Sequence, residues 1–123
     1  MTVFHLPDLP VLGSVERSCL GRYLELLVDE LGGELEEVVL FGSVARGESW
    51  PKGMPMRSDL DLLVITASAL PDGKEKELID ATYPLFLECG RQIGPQFRSR
   101  RQLDDASDAF VENVRRDGIR MYG

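Results

Sequence analysis

One stretch, Val38 to Ile65, constrains this chain more than any other: VVLFGSVARGESWPKGMPMRSDLDLLVI. Val38-Val39-Leu40-Phe41 is a short apolar run containing two β-branched residues, the pattern of a buried strand. Gly42-Ser43 ends it, and Ser43-Val44-Ala45-Arg46 reads as the start of a short helix. A polar loop then leads to Ser58-Asp59-Leu60-Asp61-Leu62-Leu63-Val64-Ile65, a second apolar run with two carboxylates at its head.

The spacing of those carboxylates carries chemistry. Along a strand, residues i and i+2 point the same way. Asp59 and Asp61 therefore project together, with Leu60 turned to the core. Two parallel carboxylates repel, and a hard cation between them resolves the repulsion. Mg²⁺ suits the pair, because it takes one or two carboxylates, keeps waters and completes its shell with phosphate oxygens. Gly42-Ser43 supplies the other half of such a site. A glycine lets backbone approach a phosphate closely. The serine hydroxyl and the free N–H groups of the following helix start can donate to phosphate oxygens. Together the two halves make a site for a metal-bound nucleoside triphosphate.

The order Gly-Ser, Ala-Arg-Gly, a loop, then Ser-Asp-x-Asp-Leu resembles the minimal nucleotidyltransferase family of the DNA polymerase β superfamily. The match is carried by Gly42, Ser43, Ala45, Arg46, Gly47, Ser58, Asp59, Leu60, Asp61 and Leu62. The resemblance implies an α/β fold of the α+β type, with a small mixed sheet of three to four strands covered by helices. It implies Asp59 and Asp61 as catalytic metal ligands for Mg²⁺ or Mn²⁺. Gly42, Ser43, Arg46 and Ser58 then become the nucleotide-binding set, with ATP or another nucleoside triphosphate as substrate. Arg46 would reach phosphate or a carboxylate near the metal, and Ser58 would orient the Asp-x-Asp strand.

Two departures from the family pattern stand out. The family usually places a third carboxylate on the third strand, and here that strand, Arg91 to Ser99, contains no Asp or Glu. Gly94 or Gln96 occupies the place. Gln96 is a candidate ligand through its amide oxygen, and Glu88 a candidate substitute from a helix end. The loop from Glu48 to Arg57 is also longer than the family's, and it holds Trp50, Met54 and Met56. These apolar side chains either cover a base or a partner, or fold back on one another.

Length and composition bound the rest. A chain of 123 residues is expected to form a single domain, 1–123, large enough for a core. No apolar run reaches the length of a membrane span. The start, MTVFHLPDLPVLG, lacks the pattern of a signal peptide, so the cytoplasm is the default expectation. A net charge of −7 argues against binding bulk nucleic acid. From Arg91 onward the balance reverses, to seven Arg against five acids. Those arginines either solvate helix faces or meet a charged partner. Cys19 and Cys89 have no metal-ligand spacing and read as reduced core thiols, and the single His5 is a poor candidate for a general base.

In chain order, Ser14 reads as the N-cap of a helix over Val15 to Leu31, with Leu20, Leu24, Leu27 and Leu31 on its apolar face. Gly32 stops it, and Leu35 to Phe41 is the first strand. After Ile65 a turn leads to Asp72, the expected cap of a helix running to about Cys89, kinked or divided near Tyr83 by Pro84. Arg91 to Ser99 is a strand that Gly94 and Pro95 mark as an edge. Asp104 or Asp105 should cap a last helix bearing Ala106, Phe110 and Val114. Gly118 ends that helix, and Ile119 to Tyr122 reads as a short final strand.

Stand-alone members of the resembled family include antitoxins that nucleotidylate a helical HEPN-domain toxin. The resemblance thus implies a HEPN-type or other protein partner, with the acceptor a hydroxyl on that partner. The alternative is a nucleotide-binding antitoxin that acts by contact, without catalysis. Modification of a small molecule such as an aminoglycoside is a third reading, for which this chain lacks the added helical domain. A homo-oligomer is left open.

Overall fold

The computed structural model describes residues 4–9, 12–45, 59–105 and 109–123. Its centre is a four-stranded mixed sheet in the order β3-β2-β1-β4, with β1 at Leu35–Phe41, β2 at Leu60–Thr66, β3 at Ile93–Ser99 and β4 at Ile119–Tyr122. β1 runs antiparallel to both β2 and β4, whereas β2 and β3 are parallel. All four strands were expected from the sequence, and Pro95 lies on an edge strand, where a missing N–H costs no ladder bond.

Among the described residues, six α-helices surround the sheet: α1 Ser14–Leu31, α2 Gly42–Ala45, α3 Lys74–Asp80, α4 Thr82–Cys89, α5 Arg100–Asp105 and α6 Ala109–Asp117. α1 lays Leu20, Leu24, Leu27 and Leu31 into the core with the fully buried Tyr23. Against them pack Val38 and Leu40 of β1, Leu60, Leu62 and Val64 of β2, and Leu78 of α3. The Tyr23 hydroxyl donates to the Leu78 carbonyl at 2.8 Å, satisfying the buried phenol, and burial pushes its pKa up. The opposite face is covered more thinly. Val39, Leu63 and Ile65 pack there against Val111 and Val114 of α6.

Several boundaries differ from those expected. Ser14 is the first residue of α1, and Gly13 holds the N-cap position without a side-chain bond. The helix expected after Asp72 begins at Lys74 and divides at Ala81, ahead of Pro84. Pro84 then falls in the first turn of α4, where no intrahelical N–H is required. Asp104 and Asp105 lie within α5 instead of capping a later helix, and Ala106 lies outside the described residues. Cys19 and Cys89, expected as separate thiols, come together as a disulfide between α1 and α4, with Cα atoms 6.6 Å apart. That separation lies within the span a disulfide bridges.

Three of the arginines from Arg91 onward pair with acids of α1 and β1. Arg91 pairs with Glu16 in a buried bridge at 3.0 Å. Arg100 reaches Glu36 at 3.1 Å, and Arg115 reaches the buried Glu37 at 3.1 Å, tying α5 and α6 to β1. These pairs use charge that the sequence left available for a charged partner. Among the described residues, no helix is long and apolar enough to cross a membrane.

Candidate functional site

The register brings the site together at one end of the sheet. β1 ends at Phe41, directly opposite Asp61 at the head of β2. On its other side Asp61 is opposite Gly94, near the start of the parallel β3. Asp59 stands just before β2, two residues from Asp61. The backbone N–H of the intervening Leu60 donates to the Gln92 carbonyl at 2.8 Å, which fixes the entry to the strand. Leu60 is buried on the α1 side, so Asp59 and Asp61 both face away from it, as the alternation predicts.

Gly42 is the hinge of this end. It has φ of 83°, the left-handed region that favours glycine, and there α2 begins at once after β1. A Cβ built on Gly42 would collide with Oδ2 of Asp61. Its backbone angle favours glycine, and any side chain there would have to displace the Asp61 carboxylate. From the other strand, a Cβ on Gly94 would lie 3.4 Å from Oδ1 of Asp61 and 3.9 Å from Oδ2 of Asp59. The Asp61 carboxylate thus lies between two positions that carry no side chain.

Electrostatics follow from this packing. Burial, and after it the neighbouring Asp59, raises the Asp61 pKa above its ordinary value. A divalent cation would remove both causes of strain, since it replaces lost hydration and neutralises the repulsion. The donor set is all carboxylate oxygen, the chemistry that hard ions such as Mg²⁺ and Mn²⁺ prefer. The residues present fit one such ion between Asp59 and Asp61. Among the described residues, no group of three or more His, Cys, Asp or Glu side chains is placed to hold a metal.

Of the other expected site residues, Ser43 lies within α2, while Arg46 and Ser58 lie outside the described residues, as do Trp50, Met54 and Met56. Gln96 is exposed on β3 opposite Leu63, one same-face position beyond Gly94. Gly94, not Gln96, is therefore the β3 residue beside Asp61. Glu88 of α4 is engaged by Arg22 of α1. The sequence did not single out an aromatic support on the carboxylate face. Phe41 meets Phe110 of α6 edge-to-face at 5.4 Å, and the Arg98 guanidinium lies 5.9 Å from the Phe110 ring. Phe41's place next to Gly42 was the only available hint, because its partner comes from 69 residues away in the chain.

The fold agrees with what the chain is similar to. A tyrosine-to-alanine mutant of the MntA–HpeT toxin–antitoxin complex is 23% identical, with TM-score 0.57, covering 85% of this chain and 72% of that one. The Shewanella oneidensis MNT antitoxin in complex with a tri-AMPylated HEPN toxin is 20% identical, with TM-score 0.54, covering 87% and 71%. A toxin–antitoxin structure with AMP-PNP is 22% identical, with TM-score 0.54, covering 83% and 72%. At these identities the likeness is one of fold. No curated protein matches the chain. The family model for the nucleotidyltransferase domain matches residues 22–117, from within α1 to the end of α6, a span that includes Gly42, Asp59, Asp61 and Gly94. This chain belongs to the nucleotidyltransferase domain family.

Proposed function

We propose that this chain transfers a nucleoside monophosphate, AMP from ATP, to a hydroxyl on a partner protein, and that the partner is a HEPN-type toxin. The observation that carries this reading is the Asp59–Asp61 pair, set on one face with Gly42 and Gly94 leaving its oxygens room. The fold neighbours support the choice of nucleotide and partner. They include a tri-AMPylated HEPN toxin in complex with an MNT antitoxin, and a toxin–antitoxin structure with AMP-PNP.

In this reading Asp59 and Asp61 hold Mg²⁺, or Mn²⁺ in its place. A divalent ion there would draw charge from the triphosphate oxygens as pyrophosphate leaves. Gly42 lets the backbone approach the phosphates, and Ser43 with Arg46 donates to their oxygens. Ser58 orients the Asp-x-Asp strand. The acceptor oxygen bonds to the α-phosphorus and the bridging oxygen departs with pyrophosphate. The hydroxyl proton passes to solvent. Catalysis of this kind rests on position and on neutralised charge.

One observation favours a second reading, a nucleotide-binding antitoxin acting by contact: Gly94 stands opposite Asp61, where the family would be expected to carry a further carboxylate. Neutralisation of the co-expressed partner separates the two readings. The Asp59→Asn/Asp61→Asn double variant should still bind the partner but fail to neutralise it. Neutralisation equal to wild type would remove the enzymatic reading and leave contact.

A further inference from the structure

We propose that residue 94 sets how many divalent ions this site holds, and that glycine there makes it a one-ion site. The inference rests on the transferase reading and adds the ion count. It comes from the β2–β3 register. Asp61 and Gly94 are directly paired, and in a parallel pair such partners share a face. The missing Gly94 side chain points at both carboxylates, 3.4 Å from one Asp61 oxygen and 3.9 Å from an Asp59 oxygen.

Charge then decides the count. The triphosphate oxygens complete the shell of the ion that Asp59 and Asp61 share, so a second ion needs a further carboxylate from the protein. A second ion about 3.5–4 Å from the first, the spacing of two-metal sites, would meet the first ion's repulsion with no further anionic ligand from β3. The next side chain on that face of β3 is Gln96, a neutral amide opposite Leu63 and one same-face step, about 6–7 Å, further along the strand. A carboxylate on a Cβ at position 94 would instead lie against both aspartates and complete the ligand set for a second ion. Gly94 does not have a left-handed φ, so position 94 accepts side chains without backbone strain. Only the contact with Asp61 must give, and that neighbour is a side-chain oxygen. With glycine at 94, β3 offers no carboxylate to hold a second ion or to activate the acceptor hydroxyl.

The test counts bound Mn²⁺ per chain by equilibrium dialysis, in the presence of an ATP analogue whose α–β bridge is a methylene, so that pyrophosphate cannot leave. Wild type should bind one ion. Gly94→Asp should bind two, while Gly94→Asn, of equal size and no charge, should stay at one. Two ions on wild type, or one on a folded Gly94→Asp, would overturn the proposal and leave the transferase reading standing. The wild-type count decides even if a variant does not fold. No ion on wild type would overturn this proposal and the transferase reading together.

Discussion

The two faces of the sheet are built to different ends. On one face, α1 with α3 and α4 buries Leu20, Tyr23, Leu24, Leu27, Leu62 and Leu78 almost completely. On the other, α6 covers Val39, Leu63 and Ile65, and the Asp61 end of the same strands lies beyond that cluster. The residues of β2 alternate between the two environments. Leu62 and Val64 serve the thick core, while Asp61 and Leu63 face the other way. One strand therefore anchors the fold and presents the chemistry, and the period of two keeps the roles apart. The thick face makes the carboxylate pair affordable, because it supplies the stability that Asp61, crowded by burial and by Asp59, subtracts.

That division can be broken from either side. The largest effect is expected at the bare end. Loss of even a residue that only supports a metal ligand typically costs 10–100-fold, so Asp59→Asn should lower transfer at least about 100-fold in a labelled-nucleotide assay. Its thermal midpoint should change little, because Asp59 is exposed. A large drop in midpoint would show that the site and the core are not separable. From the other side, Leu24→Ala removes a side chain at 1% exposure and should cost about 2–5 kcal/mol in urea unfolding. Transfer measured well below the midpoint should persist.

Smaller effects sharpen the contrast. Tyr23→Phe keeps the ring but leaves the Leu78 carbonyl without its donor, at a cost of about 1–2 kcal/mol. An unchanged midpoint would mean that the hydroxyl contributes nothing to the thick face. The subtlest test uses Asp61. Its pKa is raised in the folded state, so its contribution to stability is fully present below the ordinary carboxylate pKa and is lost as pH rises through the raised value. In chelator, Asp61→Asn should therefore melt higher than wild type at neutral pH, and the gain should vanish in acid. A gain that is independent of pH would assign the effect to packing instead of charge.

Much of this architecture was legible because it is local. The apolar run Val38 to Phe41, the alternation through Asp59 and Asp61 and the break at Gly42 each declare their structure within a few residues. What stayed hidden depends on pairing between distant segments. The sequence left Gly94 and Gln96 as rivals, and only the β2–β3 register chose between them. The meeting of Cys19 with Cys89 and of Phe41 with Phe110 depends on how helices pack, which spacing along the chain does not encode. The division at Ala81 was misplaced for a related reason. Proline excludes an N–H from a helix interior but is at ease in a first turn, so the helix restarted two residues ahead of it. Arg46 and Ser58, expected at the site from the resemblance, lie outside the described residues.

The most direct test is label transfer. The protein is mixed with Mg²⁺, α-labelled ATP and the product of the adjacent gene, and the mixture is resolved on a denaturing gel. Label should appear on the partner, and it should disappear both with chelator and with Asp59→Asn. Absence of label on a partner that wild type nonetheless binds and neutralises would contradict the account, and would make the carboxylate pair a nucleotide-binding site in a protein that acts by contact.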